Sequence, residues 1–235
     1  MTLSTNAHLK SPFPSSVDEL TIPNSHFVDY QIYRGMAPLD KLEEVLDFDV
    51  TDILIFKKQG RKEVDQEKQT LKDLGFDMRN LHHIPFKWKD YDSLQSACEQ
   101  TIDALKIFRE VKNSSNRKLF FHCTVGEDRT GYLSGIYRML QHNITKKYAF
   151  KTEMCKKGYA KGNPNKPSFV VNSIRDELTV LYSLMADRVE RGKIRLNYLS
   201  KRSCRFKKKE IIRAQQNSKK FRCQKQTILT TDENH

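Results

Sequence analysis

Residues 118–131 read K-L-F-F-H-C-T-V-G-E-D-R-T-G, and this stretch decides the fold. Leu119, Phe120 and Phe121 form an apolar, aromatic centre within its first five residues, a stretch with the length of a strand buried on both faces. Arg129, Thr130 and Gly131 open a run with helical spacing, predicted to reach residue 141. A strand, a tight turn and a helix N-terminus in succession belong to an α/β unit, where ligands sit beyond the carboxyl ends of the strands. The turn has its own chemistry. Thr124, Val125, Gly126, Glu127 and Asp128 separate Cys123 from Arg129. Such a turn can curl its backbone N–H groups inward as an anion nest, and Gly126 allows the tight path. A thiol at the centre, close to Arg129, should ionise below the ~8.5 of a free cysteine and become a strong nucleophile. The same donors suit phosphoryl oxygens, two of which the Arg129 fork can hold together. Residues 124–129 are therefore the predicted phosphate-binding set, with Cys123 and Arg129 as the reacting pair.

Outward from this stretch, elements alternate. Residues 81–86 and 51–56 read as strands, and 30–34 as a shorter one. A helix is predicted over 93–112, with Leu94, Cys98, Ile102, Leu105 and Phe108 on one face. Another is predicted over 66–74, stopped by Gly75, and further helices over 146–156 and 169–191. The expected fold class is α/β, with a central, largely parallel twisted sheet flanked by helices. The expected organisation is a loose arm over 1–27, a catalytic domain over 28–195 and a basic tail over 196–235.

The formal net charge of the 235-residue chain is +13. Residues 201–235 hold 11 Lys/Arg and three acids, a net of +8, which leaves +5 for the rest. Such a tail could contact an anionic membrane surface or nucleic acid. No apolar run reaches membrane-spanning length, and residues 1–16 lack the apolar core of a signal peptide. The five cysteines are odd in number and irregularly spaced, with no C-x-x-C pair. That reads as free thiols in a reducing compartment, with no disulfide framework or zinc site. A cytoplasmic location is expected; secretion without a cleaved signal is the alternative.

His122-Cys123-Thr124-Val125-Gly126-Glu127-Asp128-Arg129-Thr130-Gly131 resembles the signature of the cysteine-dependent protein tyrosine and dual-specificity phosphatases, and a looser similarity in element order covers residues 28–192. The resemblance implies a phosphocysteine intermediate on Cys123, transition-state binding by Arg129 and help to the leaving thiolate from the Thr130 hydroxyl. It also implies that His122 orients the loop and tunes the thiol, and that no metal or organic cofactor is needed.

Ester cleavage needs a proton for the leaving oxygen. Trp88-Lys89-Asp90 resembles the family's mobile Trp-Pro-Asp loop with Lys in place of Pro, which makes Asp90 the expected general acid. Asp92, with Gln95 three residues on, reads as a helix cap. Asp128 is the alternative acid, because the Asp-Arg-Thr order resembles phosphatases that supply the acid from the loop itself. The preferred substrate is a phosphotyrosine-containing protein, with dual specificity as the wider form. Phe86, Trp88, Tyr91 and Tyr159 are candidates for an apolar wall, and the 158–167 loop for a border of the cleft. Glu127 and Asp128 disfavour a highly charged inositol phosphate unless basic residues elsewhere compensate. Lys57 and Lys58 read as a solvated pair. The competing readings are a phosphoinositide or inositol phosphate phosphatase, a non-catalytic phosphate-binding module, and a nucleic-acid or membrane binder acting through the tail.

Overall fold

The computed structural model describes residues 20–58, 62–89 and 94–224. Five strands, β1 (His26–Asp29), β2 (Ile32–Gly35), β3 (Asp52–Phe56), β4 (Leu81–Ile84) and β5 (Leu119–His122), form one sheet in the order β1-β2-β5-β3-β4. All neighbours run parallel except β1 against β2. Every residue of β3 and β5 is buried, as the continuous apolar runs require. Period-two alternation then sorts these residues between two cores. Leu54, Phe56, Leu119 and Phe121 face one side, and Ile53, Ile55 and Phe120 the other.

Eight helices are described: α1 (Leu42–Asp47), α2 (Lys62–Asp73), α3 (Leu94–Lys112), α4 (Asp128–His142), α5 (Lys146–Ala149), α6 (Ser168–Ser173), α7 (Thr179–Glu190) and α8 (Lys208–Ser218). Helices α1 and α2 cover the smaller core through Leu42, Val45, Val64 and Leu71. Helices α3, α4 and α7 cover the larger one. The architecture is the expected α/β arrangement, with helices on both faces of a mostly parallel sheet.

Several expectations are corrected. Strand β1 begins within the segment expected as a loose arm, at His26 and Phe27, and Leu20 and Ile22 before it are buried. It is a four-residue edge strand with a register shift, too short to carry an alternation signal. The long final helix is divided by a π turn at Ile174–Leu178, where the Thr179 hydroxyl donates to the Ile174 carbonyl. The basic tail is also not separate as far as residue 224. Helix α8 lies on α7, Arg188 pairs with Glu210 at 2.9 Å, and Phe221 packs 5.0 Å from Phe150 and 5.4 Å from Tyr182, ring to ring.

Nor are the cysteines all thiols. Cys98 is bonded to Cys204 and Cys155 to Cys223, across 106 and 68 residues. Both bridges tie the last described segment to the body. Closing loops of that size constrains the unfolded chain by roughly 4 kcal/mol each in the chain-entropy account. Disulfides belong with an oxidising setting, against the reducing compartment read from spacing. Spacing failed because both bonds join residues distant in sequence. Only Cys123 is a free cysteine.

Candidate active site

Cys123 follows the last residue of β5, the central strand of the sheet, so its position is set by pairing on both sides. The turn at 124–127 then enters α4. Each carbonyl of that turn is engaged from outside. Thr124 O accepts from the Ala37 N–H at 3.2 Å, and Val125 O from Asn24 Nδ2 at 2.8 Å. Gly126 O and Glu127 O accept from Arg34 Nη2 at 2.7 and 3.4 Å. In a trans peptide the N–H lies opposite the C=O. Carbonyls held outward therefore turn the N–H groups of the following residues inward, which builds the nest.

Gly126 adopts φ +78°, and a Cβ there would lie 2.4 Å from the Gly35 carbonyl carbon. Loop and strand end touch backbone to backbone, which only glycine permits. Arg34 is fully buried below them and also donates to the Glu153 carbonyl at 2.8 Å. Burial pushes its guanidinium down to about 10, so it stays charged at neutral pH. Charge buried beneath the nest adds to its positive field.

Burial alone would raise the Cys123 thiol. The Arg129 charge, with the nearby Thr130 hydroxyl and the Thr130 and Gly126 N–H groups adding to it, reverses this and holds the thiol below its ordinary value. Arg129 is braced by Nη2 donating to Thr124 Oγ1 at 3.0 Å. His122 alternates to the Phe120 side of the sheet, where its Nδ1 donates to the Cys123 carbonyl at 3.0 Å and its Nε2 lies 2.7 Å from Glu67 Oε1 on α2. Burial raises the Glu67 carboxyl, but His122 and Lys57 outweigh it and keep it below the usual carboxylate range. Lys57 is accordingly no solvated residue: it is buried 3.8 Å from both Glu63 and Glu67. Lys58 is exposed.

The 158–167 loop folds over the two loop carboxylates. Lys166 Nζ donates to Asp128 Oδ1 at 2.6 Å and to the Gly158 carbonyl at 2.8 Å, and it forms an ion pair with Glu127 Oε2 at 2.8 Å. Asn163 Nδ2 donates to Glu127 Oε1 at 2.8 Å, and the Ala160 N–H to Asp128 Oδ1 at 3.0 Å. Negative charge close to the nest is thereby matched by a buried cation. Lys166→Met is expected to raise KM for a phosphate ester about tenfold and to cost about 3 kcal/mol of stability, since it strands buried carboxylates. Steady-state kinetics and denaturant titration check both.

The structure brings Cys123, residues 124–129, His122 and Thr130 into one site. Asp90, Tyr91 and Asp92 lie outside the described residues. Phe86 stacks on Phe56 at 4.1 Å, and Tyr159 is buried with its hydroxyl on Thr179, so both are core and neither walls a cleft. Trp88 is half-buried against the larger core. Arg34, Glu67, Asn163 and Lys166 were not singled out from sequence. Arg34 alone left a signal, as a charge within a short strand pattern.

No protein-family model and no curated protein matches the chain. Solved structures do. The core catalytic domain of the PP-IP phosphatase SIW14 from S. cerevisiae, in complex with citrate, is 21% identical over 65% of this chain and 84% of its own, with a TM-score of 0.46. The PTP-2 phosphatase of Cydia pomonella is 15% identical over 55% and 76%, with a TM-score of 0.41. Tk-PTP in its active form is 16% identical over 56% and 82%, with a TM-score of 0.40.

Proposed function

We propose that this chain is a cysteine-dependent phosphatase that hydrolyses phosphate monoesters through a phosphocysteine on Cys123. The observation that carries this reading is the single loop in which a free thiol of lowered pKa, inward N–H groups and the braced Arg129 converge. In the reaction, the thiolate attacks phosphorus and the bond to the leaving oxygen breaks. The nest and Arg129 hold the equatorial oxygens. Asp90 gives its proton to the leaving oxygen, and water then cleaves the S–P bond while Thr130 stabilises the departing thiolate. Asp128 is the weaker candidate for the acid, because its Oδ1 already receives two donors and only Oδ2 is left to carry a proton.

The preferred substrate remains a phosphotyrosine-containing protein. The inositol phosphate alternative gains support from Lys166, which supplies the compensating charge that Glu127 and Asp128 demand. The disulfides favour secretion over the cytoplasm. Among the described residues, no helix is long and apolar enough to cross a membrane.

The test is a panel of phosphotyrosyl peptide, phosphoseryl peptide, phosphoinositide and inositol phosphate, assayed by phosphate release. Highest kcat/KM on the phosphotyrosyl peptide supports the proposed substrate; highest on an inositide replaces it. Release from none of these or from an aryl phosphate would leave a phosphate-binding module. In single turnover, Asp90→Asn is expected to slow phosphocysteine formation about 10²-fold. Loss in Asp128→Asn instead would move the acid into the loop.

A further inference from the structure

A cleft of about 740 Å³ lies between residues 146–156 and residues 217–224, and none of its lining residues belongs to residues 122–131. The walls meet at the Cys155–Cys223 bridge, and the rings of Phe150 and Phe221 form an apolar base. Lys147, Lys151, Lys220 and Arg222 are exposed on its rim, and none of the lining residues is acidic. Among the described residues these four make no ion pair with a carboxylate. Lys146 differs, being matched by Asp187 at 2.6 Å and Glu190 at 2.9 Å.

Four like charges crowded around one concavity repel one another, and a disulfide holds the walls together against that repulsion. The arrangement becomes favourable when a multivalent anion enters. We propose that this cleft is a second, non-catalytic site for a compact ligand with clustered phosphates. The shape favours such a ligand over nucleic acid. The basic residues ring one pocket and do not track a strand, and the lining aromatics are buried, at 4% and 8% exposure, with no face offered for stacking a base. The site uses no residue of the catalytic loop and stands whether or not Cys123 is a nucleophile.

The experiment titrates inorganic tripolyphosphate into the full chain by calorimetry at low and moderate salt. Binding is expected to weaken as salt rises and to fall at least about tenfold in the Lys147→Ala/Lys151→Ala/Lys220→Ala variant, with aryl phosphate turnover unchanged. Unaltered affinity in that variant, or loss only in Arg129→Ala, would overturn the proposal. A parallel arm uses phosphatidylcholine vesicles with and without phosphatidylinositol bisphosphate. Co-sedimentation that depends on the lysines identifies a lipid headgroup as the source; tripolyphosphate binding without it identifies a soluble ligand. Tighter lysine-dependent binding of a single-stranded oligonucleotide would overturn the choice of ligand. Should the triple variant misfold, acetylation of wild-type protein decides: tripolyphosphate should protect these lysines, and equal labelling with and without it sinks the idea.

Discussion

Cys123→Ser is expected to reduce phosphate release by roughly 10⁵-fold while leaving the fold intact, since removing a nucleophile that acts as part of a unit abolishes most of the rate. A serine hydroxyl fits the same space, but the nest cannot ionise it near neutrality as it does the thiol. The same electrostatics set the pH profile of the wild type. The reactive form is the thiolate, and Arg129 with the loop donors places the thiol below its ordinary value. Activity should therefore rise with pH along a limb centred below that of a free cysteine, and fall as the thiol protonates on the acid side. Removing the Arg129 charge should move that limb upward. Thiolate absorbance across a pH titration of wild type and Arg129→Met checks the sign. A limb that stays in place would mean that the guanidinium does not set the thiol.

Gly126→Ala is expected to be the most damaging single methyl addition to the site. Left-handed backbone costs a residue with a Cβ about 1–2 kcal/mol. The new carbon would also sit 2.5 Å from the Gly35 oxygen and the Met36 nitrogen. These are backbone atoms, so loop and strand must part, adding about 1–3 kcal/mol. Displacing the nest by a fraction of an ångström should cost at least about 10²-fold in kcat/KM. Gly75 is the natural control. It has the same φ of +78°, with nothing within 4 Å of its added Cβ. Gly75→Ala should show the conformational cost alone, about 1–2 kcal/mol, with activity unchanged. Denaturant midpoints and kinetics of the pair separate strain from collision. Equal effects at the two positions would mean that the contact between Gly126 and Gly35 does not hold the loop.

Much of the sheet was readable because its central strands are buried on both faces. An uninterrupted apolar run such as I-L-I-F at 53–56 has few other uses in so short a segment. Strand β1 escaped because an edge strand of four residues, half of it partly exposed, has no such run. The π turn at 174–178 escaped for a different reason: adding one residue to a helical turn barely disturbs the spacing of apolar positions.

What the sequence specified by itself is the set of residues proposed for the inner chemistry, because that set is local. Cys123, the five residues of the turn, Arg129 and Thr130 are neighbours along the chain, and their spacing alone specifies a nest around a thiol. Tertiary structure decided what holds and balances that nest. Arg34 reaches Gly126 across 92 residues, Lys166 reaches Asp128 across 38, and Glu67 reaches His122 from another helix. It also decided the cysteine pairs and the seating of the tail, which bridges over 106 and 68 residues bring onto the body. These contacts follow no period in the sequence. Each depends on two segments being brought together by burial of surfaces that neither segment displays alone, so charge and thiol partners become visible only once the sheet and its helices have packed.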